Sequence, residues 1–168
     1  MEIIPANLRL VELELSDLSA FSQELDALVP DNWPPDAYCE VILYFQDYLQ
    51  AYPDGNGWTH WYWISHDPDT NERILIGGGG FKCSEPVDGE VETGYGILSQ
   101  FWNAGYSTEA LKALMEWAFQ QTGLKQVFAE VQPDNAASIR VLEKNGFVRD
   151  GFGEEEGSWR YIRSAETS

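Results

Sequence analysis

The chain has 168 residues, of which 43% are hydrophobic, so it can bury the core of one ordinary domain and does not have the composition of a disordered chain. It carries 28 Asp and Glu against 10 Lys and Arg, and the resulting formal charge of −18 argues against nucleic acid as a partner and favours a cationic substrate. An acidic surface that only keeps the protein in solution is the alternative explanation of this charge.

The first half of the chain predicts strands and helices in alternation with turns. Alternating apolar residues predict a strand, a proline-rich stretch separates two segments with helical spacing, and three more strands follow. In chain order these are a strand over 8–15, helices over 17–29 and 36–52, and strands over 58–66, 73–83 and 90–98.

The second half predicts two helices and three strands. They are a helix over 105–122 closed by Gly123, a strand over 126–132, a helix over 135–145, and strands over 147–152 and 158–164. This order predicts a single α/β (α+β) domain over residues 1–168. Its sheet should be mixed and mostly antiparallel, with about seven strands flanked by about four helices.

The stretch "FWNAGYSTEALKAL" (101–114) joins a strand to the helix over 105–122 and contains no Lys or Arg. The first turn of a helix offers unpaired N–H groups and a partial positive charge, so a phosphate can bind there if no side chain blocks it. Gly105 would leave that approach open. The alternative is that Gly105 only shapes an ordinary loop.

Several other features predict no separate site. Cys39 and Cys83 form no CxxC motif and are expected to be free thiols, and His60 and His66 have no third ligand in the pattern, so we expect no metal. "GGGG" (77–80) lacks the ending of a Walker loop and indicates close approach of backbone in a strand. "EEE" (154–156) is expected to be a solvated hairpin loop or the rim of a site for a cation.

Membrane and export signals are not evident in the sequence. Residues 1–10 have neither the basic nor the apolar region of a signal peptide, and no apolar run approaches the roughly 18 residues of a membrane span. We therefore expect a cytoplasmic protein that does not bind membranes.

Two strings resemble the GNAT superfamily of N-acetyltransferases, most closely its RimJ/RimL-like, ribosomal-protein-type branch. "GYGILSQFWNAGYSTEALKALMEWAF" (94–119) is similar to that branch's G-Y-x-[IL] strand followed by a [YF]-W-G-K-G-Y-A-T-E-A loop and helix. "NAASIRVLEKNGF" (135–147) is similar to N-x-x-S-x-R-V-L-E-K-x-G-F. Asn103, Ala104 and Ser107 depart from the pattern, but they leave the backbone N–H groups of the loop in place.

The resemblance implies acetyl-CoA as co-substrate, no metal, and transfer to an amine. It implies that backbone donors of the loop hold the coenzyme pyrophosphate, that Asn135 contacts the pantetheine arm, and that the N–H of Ile97 or Leu98 polarises the thioester if a bulge splays the strand. The implied coenzyme-binding residues are Ile97, Leu98, Asn103, Ala104, Gly105, Tyr106, Ser107, Thr108, Asn135 and Ser138.

The same resemblance suggests the catalytic residues. Glu92 is the first candidate for the base that deprotonates the amine, Glu130 is the second, and a water molecule is the alternative to both. Many relatives carry a Tyr that protonates the thiolate where this chain has Leu142. Ser138 is the substitute candidate for that proton donor, and a helix cap or a hydrogen bond to the coenzyme is its alternative role.

For the acceptor side we expect a primary amine, either a protein N-terminus or a small cationic molecule. Trp33, Trp58 and Trp61 lie in segments that flank the cleft in the family, and core packing is the alternative role, expected for at least one of them. An antibiotic- or polyamine-type acetyltransferase is the alternative within enzymes. A coenzyme-A-binding module without turnover is the alternative outside them, and a plain nucleotide-binding fold is a more distant one. A monomer or a homodimer is expected.

Overall fold

The computed structural model describes residues 1–39, 41–82 and 85–165, apart from the side chain of residue 37. These ranges form seven strands: β1 (Glu2–Pro5), β2 (His60–His66), β3 (Arg73–Phe81), β4 (Glu90–Ile97), β5 (Gln126–Val131), β6 (Val148–Phe152) and β7 (Trp159–Ser164). They also form six α-helices and a short 3-10 turn: α1 (Leu8–Ser16), α2 (Leu18–Leu25), α3 (Asp36–Cys39), α4 (Ile42–Ala51), α5 (Tyr106–Ala118), α6 (Ala136–Lys144) and the turn Ser99–Phe101. Cys39 is a free, exposed thiol, whereas Cys83 lies outside the described residues.

The strands form one sheet in the order β1-β2-β3-β4-β5-β7-β6. β4 and β5 run parallel, because α5 crosses over between them, and every other neighbouring pair is antiparallel. The predicted mixed and mostly antiparallel sheet of about seven strands is confirmed.

The strand predicted over residues 8–15 is wrong, because these residues form helix α1. Asn7 caps the helix, and its side-chain oxygen accepts a hydrogen bond of 2.9 Å from the backbone N–H of Leu10. Leu10 and Glu14 lie four residues apart and are both buried, which is the spacing of a helix face. The sequence did not predict the strand β1 (Glu2–Pro5), which pairs with β2 and brings the number of strands to seven.

The remaining differences concern helix boundaries. The helix predicted over residues 36–52 is divided into α3 and α4, so the described residues contain more helices than the four predicted. α2 ends at Leu25, because Asp26 takes a left-handed backbone conformation with φ of 51°. No helix within the described ranges is long and apolar enough to cross a membrane.

Hydrophobic cores fill both faces of the sheet. α5 and α6 cover one face, which we call the α5 face, with buried residues such as Leu114 and Leu142. α1, α2 and α4 cover the opposite face, which we call the α1 face, with buried residues such as Phe21 and Leu49. The central strands are therefore shielded on both sides, and a ligand must enter where the sheet itself opens.

The glycines of β3 allow unusually close contact with β2, as the sequence predicted. A Cβ atom at Gly78 would overlap Cε1 and Nε2 of the His60 ring, and a Cβ atom at Gly80 would overlap the carbonyl oxygen of Thr59. The imidazole of His60 therefore lies flat across β3 on the α1 face. Any side chain at Gly78 would displace it.

We expect Gly78→Ala to lower the free energy of unfolding by about 1–3 kcal/mol, because the added methyl group overpacks a buried aromatic cluster. Gly94→Ala is the matched control, since its Cβ atom would meet no atom within 4 Å. It should change stability by less than about 1 kcal/mol. Urea denaturation measures both variants, and equal stabilities would contradict the close-contact role of Gly78.

Candidate active site

β4 and β5 separate after a short stretch of parallel pairing. Residues 90–92 pair with residues 126–128, and the pairing ends there. β4 stays bonded to β3 as far as Ile97, and β5 stays bonded to β7 as far as Val131. An opening therefore forms between the carboxyl-terminal halves of the two strands, which we call the β4–β5 gap.

The backbone of Ile97 points into this gap. Alternate residues of an antiparallel strand bond to the same neighbour, and the Leu98 N–H donates to the Ile76 carbonyl at 2.9 Å. The Ile97 N–H therefore faces away from β3, and the Ile97 carbonyl accepts a hydrogen bond of 3.0 Å from Nε1 of Trp102. Leu98 is already engaged, so the structure favours Ile97 of the two predicted donors. The register of β3 and β4 is continuous here, without the predicted bulge.

The loop before α5 leaves the helix N-terminus uncovered. Gly105 is the N-cap, with φ of 84° and no side-chain capping bond, and the first helical bond runs from the Glu109 N–H to the Gly105 carbonyl at 3.1 Å. The N–H groups of residues 106–108 have no acceptor within the described part of the chain. A Cβ atom at Gly105 would meet no atom within 4 Å. This end of the helix is therefore free to bind an anion.

The first turn of α6 lies on the other side of the gap. Asn135 caps this helix by accepting a hydrogen bond of 3.1 Å from the Ser138 N–H, and the Ser138 carbonyl accepts a hydrogen bond of 3.3 Å from the Tyr95 hydroxyl. Burial raises the pKa of Tyr95 to about 12, although its hydrogen bond to Ser138 acts in the opposite direction. Tyr95 of β4 thus spans the gap to α6 on the α5 face and carries its proton at neutral pH.

Glu92 lies on the α1 face of β4. Its neighbour Val91 packs into the core under α5, and successive residues of a strand point to opposite faces. The Glu92 carboxylate forms an ion pair with Lys82 and keeps 20% of its side chain exposed. It is therefore accessible from the face opposite α5.

Glu130, the second candidate for the base, is held by the loop between β6 and β7. Its carboxylate accepts hydrogen bonds from the backbone N–H groups of Glu154 and Glu155 at 2.8 and 3.0 Å and from the Ser158 hydroxyl at 2.9 Å. Burial raises the pKa of Glu130, but these hydrogen bonds outweigh burial and lower it below its ordinary value. A carboxylate held in this way anchors the β6–β7 loop and accepts a further proton poorly.

The structure corrects the expectation that Trp58 and Trp61 flank the acceptor cleft. Both are buried on the α5 face, where their ring centroids lie 4.9 and 5.2 Å from that of Trp117. Trp33 lies on the α1 face but is buried as well, and its indole N–H donates to Glu14. The three tryptophans therefore serve as core residues.

Residues 30–39, which we call the wall segment, lie beside β4 on the α1 face. The side chains of Asn32 and Gln100 exchange two hydrogen bonds of 3.0 Å, which tie the wall segment to the turn that precedes α5. The ring of Pro35 covers Gly96, because a Cβ atom at Gly96 would lie 3.6 Å from Pro35 Cβ. The wall segment thus borders the β4–β5 gap on the side where Glu92 is exposed.

A buried carboxylate lies behind the wall segment. Glu14 accepts hydrogen bonds from Nε1 of Trp33 at 2.7 Å and from the hydroxyls of Tyr38 and Tyr62 at 3.1 and 2.6 Å. Burial raises the pKa of Glu14 to about 7, even though all three hydrogen bonds favour the ionised form.

His60 is a further buried titratable group of this cluster. Its ring lies 4.3 Å from that of Tyr38 and 5.1 Å from that of Phe45, and its Nε2 has no hydrogen-bond partner within the described residues. Burial lowers the pKa of His60 to about 3. His66 instead contacts Glu2 at 2.6 Å. In the described ranges, no three His, Cys, Asp or Glu side chains come together as metal ligands would.

This arrangement of strands, gap and exposed helix end matches a known family. The model of the acetyltransferase (GNAT) domain matches residues 7–148. The chain belongs to the GNAT family of N-acetyltransferases. Among similar proteins, the N-acetyltransferase YjdG of Bacillus subtilis is 28% identical over 162 residues, which cover 92% of this chain and 94% of that protein. The family and the enzyme class predicted from the two sequence strings are confirmed.

Solved structures of GNAT enzymes share the fold. The spermidine N-acetyltransferase of Vibrio cholerae, in complex with CoA and spermine, has a TM-score of 0.63 at 13% identity and covers 98% of this chain and 95% of its own. The ribosomal-protein-S5-alanine acetyltransferase of Vibrio fischeri has a TM-score of 0.62 at 15% identity and covers 98% and 92% of the two chains. At these identities the likeness concerns the fold alone.

Sequence reasoning missed three residues around this GNAT site. Tyr95 stands within the "GYG" string, and the alternation of β4 could have assigned its ring to the same face as Val91. Trp102 stands in the loop string, but nothing in the sequence indicates that its indole bonds to Ile97. Glu14 was missed because the pattern of residues 8–15 predicts a strand.

We expect Glu14 and His60 to give opposite pH dependences of stability. The folded pKa of Glu14 is raised from 4.5 to about 7, so the folded state binds the extra proton and stability falls as pH rises through this window. The folded pKa of His60 is lowered from 6.5 to about 3, so stability falls as pH drops below 6.5.

Between pH 7.5 and 5 the titration of each group changes the free energy of unfolding by about 2 kcal/mol. The two changes have opposite signs and nearly cancel. Urea denaturation of wild type, Glu14→Gln and His60→Phe across this range tests the prediction. Relative to wild type, Glu14→Gln should lose stability on acidification and His60→Phe should gain it. Parallel curves for all three proteins would contradict the burial of either charge.

Proposed function

We propose that this GNAT enzyme uses acetyl-CoA and transfers the acetyl group to a primary amine by direct attack in a ternary complex. The observation that carries the proposal is the β4–β5 gap, which lies between the uncovered N-terminus of α5 and the partly exposed carboxylate of Glu92. Phosphates at the helix end and a thioester in the gap would bring the acetyl group to the face from which Glu92 is reached.

The coenzyme would bind through backbone groups. The N–H groups of residues 104–108 would hold the pyrophosphate, and the Ile97 N–H would polarise the thioester carbonyl. Asn135 and Ser138, at the start of α6, remain the candidates for contacts with the pantetheine arm. Lys112 and Lys144 line a cavity of about 570 Å³ beside α5, and these cations favour an anionic ligand on this side of an otherwise acidic protein.

On the α1 face, Glu92 would act as the general base. An ammonium group cannot attack until it loses a proton, so the Glu92 carboxylate would accept that proton before the nitrogen lone pair adds to the thioester carbon. The nitrogen loses a second proton as the tetrahedral intermediate collapses, and this balances the proton that the departing thiolate takes up. Glu130 is the weaker candidate because three hydrogen bonds already occupy its carboxylate. Water remains the alternative base.

The departing thiolate needs a proton when the carbon–sulfur bond breaks. Ser138 is the first candidate donor. The hydroxyl of Tyr95, which reaches the first turn of α6, is a second one, and it would have to release the Ser138 carbonyl to which it now donates its single proton. With a pKa of about 12, Tyr95 is suited to stabilise the thiolate by a hydrogen bond rather than to transfer its proton completely.

The acceptor is a cationic primary amine on this proposal. The net charge of −18 and the acidic β6–β7 loop at residues 154–156 favour a cation, and similar folds include enzymes named for spermidine and for a ribosomal-protein alanine. Thiol release from acetyl-CoA should be measured with spermidine and with short peptides that begin with serine or alanine. Coenzyme binding without thiol release for any of them would favour a binding module over an enzyme acting on amines.

We expect Gly105→Val to raise the Kd of coenzyme A by about tenfold or more, or about 1.4 kcal/mol, because a branched side chain would stand where the phosphates approach. Gly123→Val is the matched control. Gly123 lies just beyond the other end of α5 with φ of 88°, close to the 84° of Gly105, and its Cβ atom would also meet nothing within 4 Å. Both variants place a branched residue at nearly the same positive φ, so calorimetric titration with coenzyme A separates this strain from the effect on the phosphate site. Equal affinities would contradict it.

We expect Glu92→Gln to lower kcat by about 100- to 10,000-fold, because the amide keeps the shape of the side chain but accepts no proton. The loss should be largest at low pH and shrink as pH approaches the pKa of the amine. Wild-type kcat/KM should also fall with added salt, since exposed charges are screened beyond about 10 Å at 0.1 M.

Glu90→Gln is the control for the base, because Glu90 lies two residues earlier on the same face and pairs with Arg160 at 3.0 Å. It should keep the wild-type pH profile. A wild-type profile in Glu92→Gln itself would transfer the role of base to Glu130 or to water. Kinetics that do not depend on salt would contradict electrostatic attraction of the acceptor.

A further inference from the structure

Glu14 is the one acidic side chain that is buried within the described residues, with 7% of its surface exposed. The three hydrogen bonds it accepts come from neutral groups, an indole and two phenols. Burying a carboxylate is unfavourable unless its hydrogen bonds are complete. An apolar residue would fill this place in the core at a lower cost in free energy. Packing alone therefore does not explain why a carboxylate is buried here.

The three donors join the wall segment to the rest of the fold. Trp33 and Tyr38 belong to the wall segment, whereas Tyr62 belongs to β2 in the middle of the sheet. Oε1 of Glu14 accepts from Trp33, and Oε2 accepts from both tyrosines. A single carboxylate on α1 thus fixes two side chains of the wall segment relative to the central strands.

The position of the wall segment sets the width of the opening on the α1 face. Pro35, between the two anchored side chains, covers Gly96 of β4. Two residues earlier, a Cβ atom at Gly94 would meet no atom of the described residues within 4 Å, so the described part of the chain leaves the space above it open. This open space lies between the wall segment and the exposed carboxylate of Glu92.

We propose that Glu14 is a positioning residue, which holds the wall segment through Trp33 and Tyr38 and thereby shapes the entrance for the amine. The proposal rests on the proposed function in that it takes the α1 face as the acceptor side. Without the carboxylate, three buried donors would lack partners, and buried polar groups in this state turn toward water or other acceptors. For Trp33 and Tyr38 that requires the wall segment to move.

The proposal predicts an effect on the amine that spares the coenzyme. In Glu14→Leu we expect the KM of the amine to rise by about tenfold or more, since small misplacements of positioning groups are costly. The KM of acetyl-CoA and the Kd of coenzyme A should stay within about twofold of wild type. In Glu14→Gln, whose carbonyl can still accept from the tyrosines, we expect an intermediate value.

The matched control is Leu49→Ala, a fully buried apolar residue of α4 in the same core cluster whose side chain has no group that could donate a hydrogen bond to the carboxylate. It lowers thermal stability by removing packing, so it reports what destabilisation alone does to both KM values. Tyr38→Phe is the milder test variant, because it removes one donor and keeps the ring. It carries the same expectation if Glu14→Leu does not fold.

Hydrogen exchange provides a readout that does not depend on turnover. In Glu14→Leu or Tyr38→Phe, amides of residues 31–39 should exchange about tenfold faster or more, while those of residues 106–118 keep wild-type rates. If wild type shows no turnover with any amine, the proposed function fails and exchange alone decides the role of Glu14. Unchanged exchange in residues 31–39 would overturn the proposal. An equal rise of the amine KM in Leu49→Ala would overturn it as well.

Discussion

The parallel pairing of β4 and β5 lasts for only three positions, and the geometry of the candidate site depends on its early end. In a continuous sheet the Ile97 N–H would bond to the next strand, and no ligand could reach the middle of the fold. Because the two strands diverge, β4 presents an unpaired edge, and the helices that follow each strand, α5 and α6, begin on either side of the opening. The candidate site is therefore an opening within the sheet and not a pocket between side chains.

The two faces of the sheet around this opening differ chemically. The α5 face combines the uncovered end of α5 with a hydrogen bond between Tyr95 and the first turn of α6. The α1 face carries Glu92, an open space above Gly94, and the wall segment. The proposed reaction, which would join an anionic coenzyme to a cationic amine, would benefit from this separation, because each partner would approach a surface with complementary electrostatics.

Environment gives three acidic residues of similar intrinsic chemistry three different roles. Glu92 is partly exposed and paired with Lys82, Glu130 is held by the β6–β7 loop, and Glu14 is buried among an indole and two phenols. Burial raises the pKa of Glu14 to about 7, whereas hydrogen bonds outweigh burial and lower that of Glu130. The three residues have the same carboxylate side chain, and their different hydrogen-bond partners and burial distinguish them.

The sequence by itself determined the elements that carry local signals. The strings at 94–119 and 135–147 were sufficient for the family, and the glycines at 77–80 for close strand contact, because these depend on residue type and short spacing. The pattern of residues 8–15 suited both a strand and a helix, and only the pairing of Glu2–Pro5 with β2 and the cap at Asn7 decided between them. Likewise, the sequence ranked Glu92 before Glu130 as a base but could not show what holds either carboxylate. Tertiary structure separated them, and it brought Glu14 to Trp33 and Tyr38, because hydrogen bonds and burial depend on residues that are distant in sequence.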